Sequence, residues 1–474
     1  MMPRKRSGCI VAGWALALGG CVHVAPVPVD LAARATARGA VSLDPAAVAS
    51  EAGRLAPGVD TAAAGLDRLE LFAALLIYDP RIAEARAAIE TAWREQRAAA
   101  QLRPMTLTLT GEYANDPATS SPWLLGGAIE VPLDRGARRS VPIDRARLAV
   151  LAARYAYAET VWSERTAQRR ALIDYFAAAA RIPLLTELLA LRDRQLAALE
   201  RRRAEGETAG ITVYPFQAQR AQSARMLEEA RATQARARIA IAGTLGLPAA
   251  ALDRIGLLWP DFAAPSEARP NIGAADRVRA AAGRADVLRL LTAYDQSEAD
   301  LRLALAGQYP GIAIAPGYTW ERGLVKLPLS VALTLPPLDL NRSAIALAVA
   351  RRQQAGAAIE TALAGADNAI EAALAERRAS AASYERQRRA ELPPALSGGA
   401  RADAQLREGA IDRANWAAAK ITALEARLAA VDALVRIRQA DAALEEAMRR
   451  PLEGPELAIA PERLRNPEKL GDLR

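Results

Sequence analysis

Cysteine and histidine are missing from almost the whole of this 474-residue chain. Its two cysteines, Cys9 and Cys21, fall in the first 21 residues, and its one histidine is His23. No disulfide framework can hold the body together. No Ser/His/Asp or Cys/His set is available there for nucleophilic catalysis. His23 has no ligand partners, and Met105, Met226 and Met448 are scattered, so no metal site and no cofactor are expected. The Gly-rich spots form no phosphate loop, and the expectation is that the chain is not an enzyme. Aromatics are only 4%, with four Phe. Nucleic-acid binding, which needs basic clusters with aromatic platforms, is therefore not expected. Long apolar runs are lacking too. A helical membrane span needs about 20 apolar residues. The best candidate, residues 171–191, contains Asp174, Arg181 and Glu187. If this protein crosses a membrane, it does so as strands.

What is present is alanine, arginine, leucine and glutamate in abundance, a composition that leans toward long helices. The formal charge is +8, of which Arg4, Lys5 and Arg6 contribute three, leaving 8 − 3 = +5 without them. The remaining arginines interleave with acids and read as solvated helix faces.

The N-terminus reads as an address. Arg4-Lys5-Arg6 precede a short apolar stretch over 10–18, and Leu18-Gly19-Gly20 supply small residues before Cys21. This is the layout of a secretory signal, and Leu-Gly-Gly-Cys resembles the bacterial lipobox. The resemblance implies a signal peptide over 1–20 and lipidation (palmitate included) at Cys21. Val22, where an inner-membrane retention signal would carry Asp, implies delivery to the outer membrane. An extended lead-in is expected over 21–65, poor in periodicity and rich in Ala, Pro, Val and Gly.

A helical period runs from Leu66 to Leu102, and Pro104 ends it. Over 105–134 the period changes to two. Met105 to Tyr113 alternates, a polar turn follows, and Trp123 to Leu133 places Ile129, Val131 and Leu133 on one face, which is a hairpin signal. Long helices are expected over 140–250. The order then repeats. A helix covers 274–309, and a hairpin covers 310–336, with Ile312, Ile314, Pro316, Tyr318 and Trp320 alternating before Val325 to Leu335. Further long helices cover 341–450, and a tail with four prolines covers 451–474. Arg103-Pro104 and Tyr309-Pro310 stand 206 positions apart, Leu133-Asp134 and Leu338-Asp339 205 apart. A near-constant offset through the same order of elements marks a tandem duplication. Residues 341–407 would span about 100 Å as one helix, with Pro393-Pro394 and Gly398-Gly399 expected to bend or interrupt it.

Four strands cannot close a barrel, since the smallest outer-membrane barrels use about eight. An open sheet edge in lipid leaves unpaired backbone groups, each costing several kcal/mol. The expected architecture is mainly α with a small membrane β part. A long-helix α-barrel would continue into a twelve-stranded β-barrel shared by three protomers, four strands from each. Tyr113, Trp123, Tyr309, Tyr318 and Trp320 near the strand ends suit an aromatic girdle.

The chain resembles the outer-membrane efflux protein family of TolC-type and OprM-type channels across residues 66–450. The residues that carry the likeness are Tyr78-Asp79-Pro80 through Pro104-Met105-Thr106-Leu107, then Leu335-Pro336-Pro337-Leu338-Asp339-Leu340-Asn341-Arg342, and Glu391-Leu392-Pro393. The Pro-Leu-Asp-x-Asn-Arg stretch leans toward the heavy-metal cation efflux branch. The resemblance implies a passive exit duct of a tripartite efflux pump: a homotrimeric, lipid-anchored lipoprotein of the bacterial outer membrane that extends into the periplasm. Its partners would be a periplasmic adaptor and, indirectly, an inner-membrane pump of the RND type. Two alternatives stay open at this point, the exit duct of type I protein secretion and a periplasmic coiled-coil scaffold.

Two helix-to-helix turns resemble the family's Gly-containing tips, which implies adaptor docking. One holds Glu205, Gly206, Gly210 and Thr212, the other Arg407, Glu408, Gly409 and Asp412. Thr212 and Asp412 are expected to cap the helices that follow. Family channels often close on an acidic ring just past the second tip, where this chain has Asn415. An Asp412/Arg413 closure between protomers is the alternative gate.

Overall fold

The computed structural model describes residues 24–59, 65–113, 122–265, 272–321 and 323–459. The signal segment, Cys21 and His23 lie outside the described residues, as do the turn residues 114–121 and the tail from 460. Contacts divide the chain into a short unit ending at Ser42 and a large unit from Leu43 onward.

In the short unit, helix α1 (Leu31–Gly39) starts at Asp30, whose side chain accepts from the Ala33 amide at 3.0 Å. The large unit opens with α2 (Pro45–Leu55), where Asp44 caps the Ala46 amide and Pro45 takes the first turn. The lead-in expected to be extended is thus partly helical. Two Asp caps start the helices, and Val48, Ala52 and Leu55 bury one stripe of α2. Alanine-rich composition without a long period had concealed them.

Helix α3 (Arg68–Tyr78) begins with a capping box between Asp67 and Glu70 and is buried along nine of its residues. The helix expected without interruption to Leu102 breaks at Asp79. That residue ends α3 and caps α4 (Pro80–Ala99) through the Arg81 amide at 2.8 Å. Strands β1 (Thr106–Tyr113) and β2 (Trp123–Pro132) follow, then the 68-residue α5 (Ala137–Ala204) and α6 (Tyr214–Thr244). The second half supplies α7 (Ala274–Ala282), α8 (Ala285–Ala306), β3 (Gly311–Glu321), β4 (Leu324–Lys326), β5 (Leu329–Thr334) and α9 (Arg342–Arg386). Equivalent elements start at 80 and 285, 106 and 311, 137 and 342, each a step of 205. Both sheet-to-helix re-entries use a left-handed residue at the matching position, Gly136 (φ 56°) and Asn341 (φ 61°).

The interruption after α9 falls at one widened turn, Gln387–Glu391, before α10 (Leu392–Arg407) and α11 (Arg413–Met448). Pro393 lacks an amide hydrogen and its ring crowds the carbonyl four residues back, which a π turn accommodates. Gly398 and Gly399, expected to help break the helix, stay inside α10. A Cβ on Gly399 would stand 3.1 Å from the Ala423 Cβ, so the glycine lets α10 close onto α11.

The long helices are bound by a leucine seam. Leu185, Leu188 and Leu191 of α5 meet Leu227 of α6 and Ile421, Leu424 and Leu428 of α11. A second cluster joins Ile370 and Leu374 of α9 to Leu444 and Met448 of α11. None of the helices searched among the described residues is long and apolar enough to cross a membrane.

Candidate functional site

The two hairpins make one antiparallel sheet in the order β1–β2–β3, with β4 and β5 both on the far side of β3. Directly paired residues share a face, so the register sorts every side chain. Tyr113 pairs with Trp123, Leu109 with Gly127 and Leu107 with Ile129. Leu125 pairs with Trp320, Gly127 with Tyr318 and Val131 with Ile314. Trp320 then pairs with Val325, Pro316 with Leu329, Ile314 with Val331 and Ile312 with Leu333. All of these lie on one face, and every one is apolar, aromatic or glycine. The opposite face carries Thr106, Thr108, Thr110 and Glu112 of β1, Glu130 of β2, Thr319 and Glu321 of β3, and Lys326, Ser330 and Thr334 beyond, with Leu124, Pro132, Leu324 and small residues among them.

Neither face is covered. Every residue of β1, β4 and β5 is exposed, and Leu329, on the apolar face of edge strand β5 opposite Pro316, is 71% exposed. A soluble sheet buries its apolar face. This one leaves it bare over β3's 11 residues, about 36 Å along the strand and about 25 Å at the usual tilt, the height of a membrane barrel's apolar band. Tyr113 and Trp123 meet edge to face at 5.0 Å where β1 leads to β2, and Trp320 lies beside the tight turn at Gly323 (φ 89°).

The strand expected over 325–335 is divided at Leu327-Pro328, yet its register against β3 is unbroken on either side. The Gly317 amide donates to the Pro328 carbonyl at 2.8 Å. Main-chain groups of one strand residue point the same way, so the missing amide of Pro328 faces β3. Edge prolines normally point that gap outward and so blunt the edge. Here the outward ladder of Val325, Leu327, Leu329, Val331 and Leu333 keeps its amides.

At the opposite end of the long helices lie the two turns. Gly206 (φ 77°) follows Glu205 after α5, and Gly409 (φ 71°) follows Glu408 after α10. Both take the left-handed conformation that glycine adopts without strain. Gly210 opens a single 3₁₀ turn ending at Thr212. Thr212 does not cap α6 as expected. Its hydroxyl donates to the Ala209 carbonyl at 2.6 Å, and Val213 occupies the cap position without a side-chain bond. Ile211 and Tyr214 stand exposed beside it. Asp412 does cap α11, accepting from the Asn415 amide at 2.7 Å, and its other oxygen takes the Arg202 guanidinium. The Asn415 amide, helped by Arg202, holds this carboxyl below the usual carboxylate range. The structure therefore joins the two turns through Arg202 and Asp412 of one chain, a partner for Asp412 that sequence spacing did not disclose. Arg407 donates to the Asp403 carbonyl on its own helix. Among the described residues searched, no group of three or more His, Cys, Asp or Glu could hold a metal ion.

No family model matches the sequence, and no curated protein matches it. Solved structures do. The chain is similar to the outer-membrane channel OprN, at 20% identity and a TM-score of 0.68, covering 80% of this chain and 89% of that one. It is similar to the CmeC outer membrane channel of Campylobacter jejuni at 14% identity and a TM-score of 0.67, covering 96% and 98%. Against the outer membrane protein VceC of Vibrio cholerae the values are 19% and 0.64, covering 81% and 97%. The chain has the fold of outer-membrane channels. These likenesses do not separate a heavy-metal branch from the others.

Proposed function

We propose that this protein is the outer-membrane exit duct of a tripartite efflux pump, a passive channel and not an enzyme. The observation that carries the reading is the bare sheet, in which β4 and β5 together fill the fourth strand position, with one apolar face, one mainly polar face and two open edges. Lipid accepts the apolar face, water the polar face, and only further strands can satisfy the edges. Three copies would supply twelve strands around a polar lumen lined by Glu112, Glu130, Glu321 and the threonines. The long helices would continue the duct into the periplasm. Energy would come from an inner-membrane pump of the RND type, leaving this chain to select by size and charge. The Glu205–Thr212 and Arg407–Asp412 turns are the surfaces we assign to a periplasmic adaptor. Closure would fall near Asp412, Arg413 and Asn415. Lipidation at Cys21 would anchor the N-terminus in the outer membrane.

The test is direct. Outer-membrane fractions should contain SDS-resistant, heat-modifiable oligomers of this chain, and the purified oligomer should conduct in planar bilayers. A soluble monomer alone would favour the scaffold reading and overturn the channel.

A further inference from the structure

The last described residues, 451–459, form a strap whose backbone-to-backbone hydrogen bonds are internal: Leu457 to Gly454 and Ile459 to Glu456. Among the described residues, no backbone ladder ties it to another element. Side chains hold it instead. Glu453 accepts from Arg169 at 2.6 Å, from Arg438 at 2.8 and 2.9 Å and from Arg68 at 3.3 Å. Glu456 accepts from Arg165 at 2.7 Å, which also reaches Glu445 at 3.1 Å. The Leu452 amide donates to Glu445 at 2.9 Å.

The four arginines come from α3, α5 and α11, so they join the first helix of one repeat to the last helix of the other. Three of them, Arg68, Arg169 and Arg438, stack on Trp259 with 4.9, 4.4 and 5.2 Å between guanidinium carbon and ring centroid. All four are almost wholly buried. A desolvated cationic cluster of this kind is costly unless anions fill it. Three glutamates face four arginines, and Arg68 Nη2 and Arg169 Nη1 remain buried without a hydrogen-bond acceptor. The strap is shaped to its seat. Gly454 has φ 79°, and a Cβ there would fall on the Arg68 guanidinium.

We propose that this arginine box is a binding site for an acidic peptide of the form Glu-Gly-Pro-Glu, occupied in cis by the chain's own residues 453–456. The strap is then a ligand on a tether rather than a continuation of the core. It closes the molecule only after the last helix has been made, clasping α3 and α5 to α11. Recognition rests on charge-assisted bonds from arginine to each carboxylate, on stacking of the guanidinium groups over Trp259, and on the absence of a side chain at Gly454. The site stands or falls independently of the pore.

The test uses detergent-solubilised full-length protein and a fluorescent peptide Leu-Glu-Gly-Pro-Glu-Leu, followed by anisotropy. The wild-type box is full and should bind the peptide weakly. The full chain carrying Glu453→Gln and Glu456→Gln should bind it on the order of tenfold tighter than the wild type does, and tenfold tighter than it binds the same peptide with both Glu replaced by Gln. Equal binding of the two peptides, or no binding to a variant with wild-type circular dichroism, would overturn the site. If that variant does not fold, Gly454→Ala carries the test. It keeps every charge and displaces the strap sterically, and the same preference for the acidic peptide is expected. Absence of that preference in the Gly454→Ala chain overturns the proposal equally.

Discussion

Arg202, in the last turn of α5, reaches across to Asp412, the residue that caps α11. One carboxylate thus starts a helix and joins the two turns at the end of the long helices away from the sheet. Asp412→Ala should remove both contacts, with loss of the cap alone worth about 1 kcal/mol. In planar bilayers the variant should leak more than wild type, and Arg202→Ala should do the same. Arg413→Ala, whose side chain is not part of this link, separates an interprotomer gate from the intrachain one. Unchanged conductance for both Asp412→Ala and Arg413→Ala would remove this region from the gate.

On the strands of a membrane barrel, position on a face decides tolerance. Leu329→Arg puts a cation on the apolar face, where the cost reaches about 2–4 kcal/mol near the bilayer midplane. Ser330→Arg, one residue on, points into the polar face and should assemble. Heat-modifiable oligomer in outer-membrane fractions reads the difference. Equal yields from the two variants would mean that the faces are not lipid and water.

The outward ladder of β4 and β5 makes a sharper demand. Val331→Pro removes an amide from the open edge, while the natural Pro328 sits with its gap turned inward. The substituted chain should fold its own sheet against β3 but lose SDS-resistant oligomers. Oligomers at wild-type yield would show that the edge is not a joint between copies.

Acid should loosen the C-terminal strap. Burial alone would raise the carboxyls of Glu453 and Glu456. Arg438, Arg169 and Arg68 around the first, and Arg165, Arg169 and Arg68 around the second, hold both below the ordinary glutamate value of 4.5. A depressed folded value means that the stabilisation is complete above 4.5 and is lost as pH falls from there through the folded values. Glu51 and Asp441 behave oppositely, since burial raises both. Their charged forms are penalised, so lowering the pH through their raised values adds stability. Thermal unfolding against pH should therefore show an acid limb below 4.5 that Glu453→Gln with Glu456→Gln flattens and Glu51→Gln does not. An acid limb unchanged by the double substitution would assign it elsewhere.

Lipidation is read by mass. Mature protein from the outer membrane should begin at Cys21 with added acyl mass, and Cys21→Ser should abolish labelling by radioactive palmitate. A labelled Cys21→Ser chain would refute the anchor.

Periodicity and punctuation determined a great deal. The switch from a helical to a two-residue period at Pro104 and Pro310 revealed the hairpins, because side-chain alternation is a local property of an extended chain. The repeated order of elements revealed the duplication, and Gly206 and Gly409 revealed the turns, since only a reversal needs their left-handed backbone. Tertiary structure decided what depends on pairs distant in sequence. It placed β2 beside β3 across nearly 200 residues, which made one sheet of two hairpins and set their aromatic residues and most of their large apolar residues on a single face. It turned the amide gap of Pro328 inward, joined Arg202 to Asp412, and gathered Arg68, Arg165, Arg169 and Arg438 around Glu453 and Glu456. A charged residue on a helix reads as solvated until its partner is known, so the burial of four arginines had no local signature. The proline-rich tail likewise had no period to betray that its first nine residues are held by those arginines.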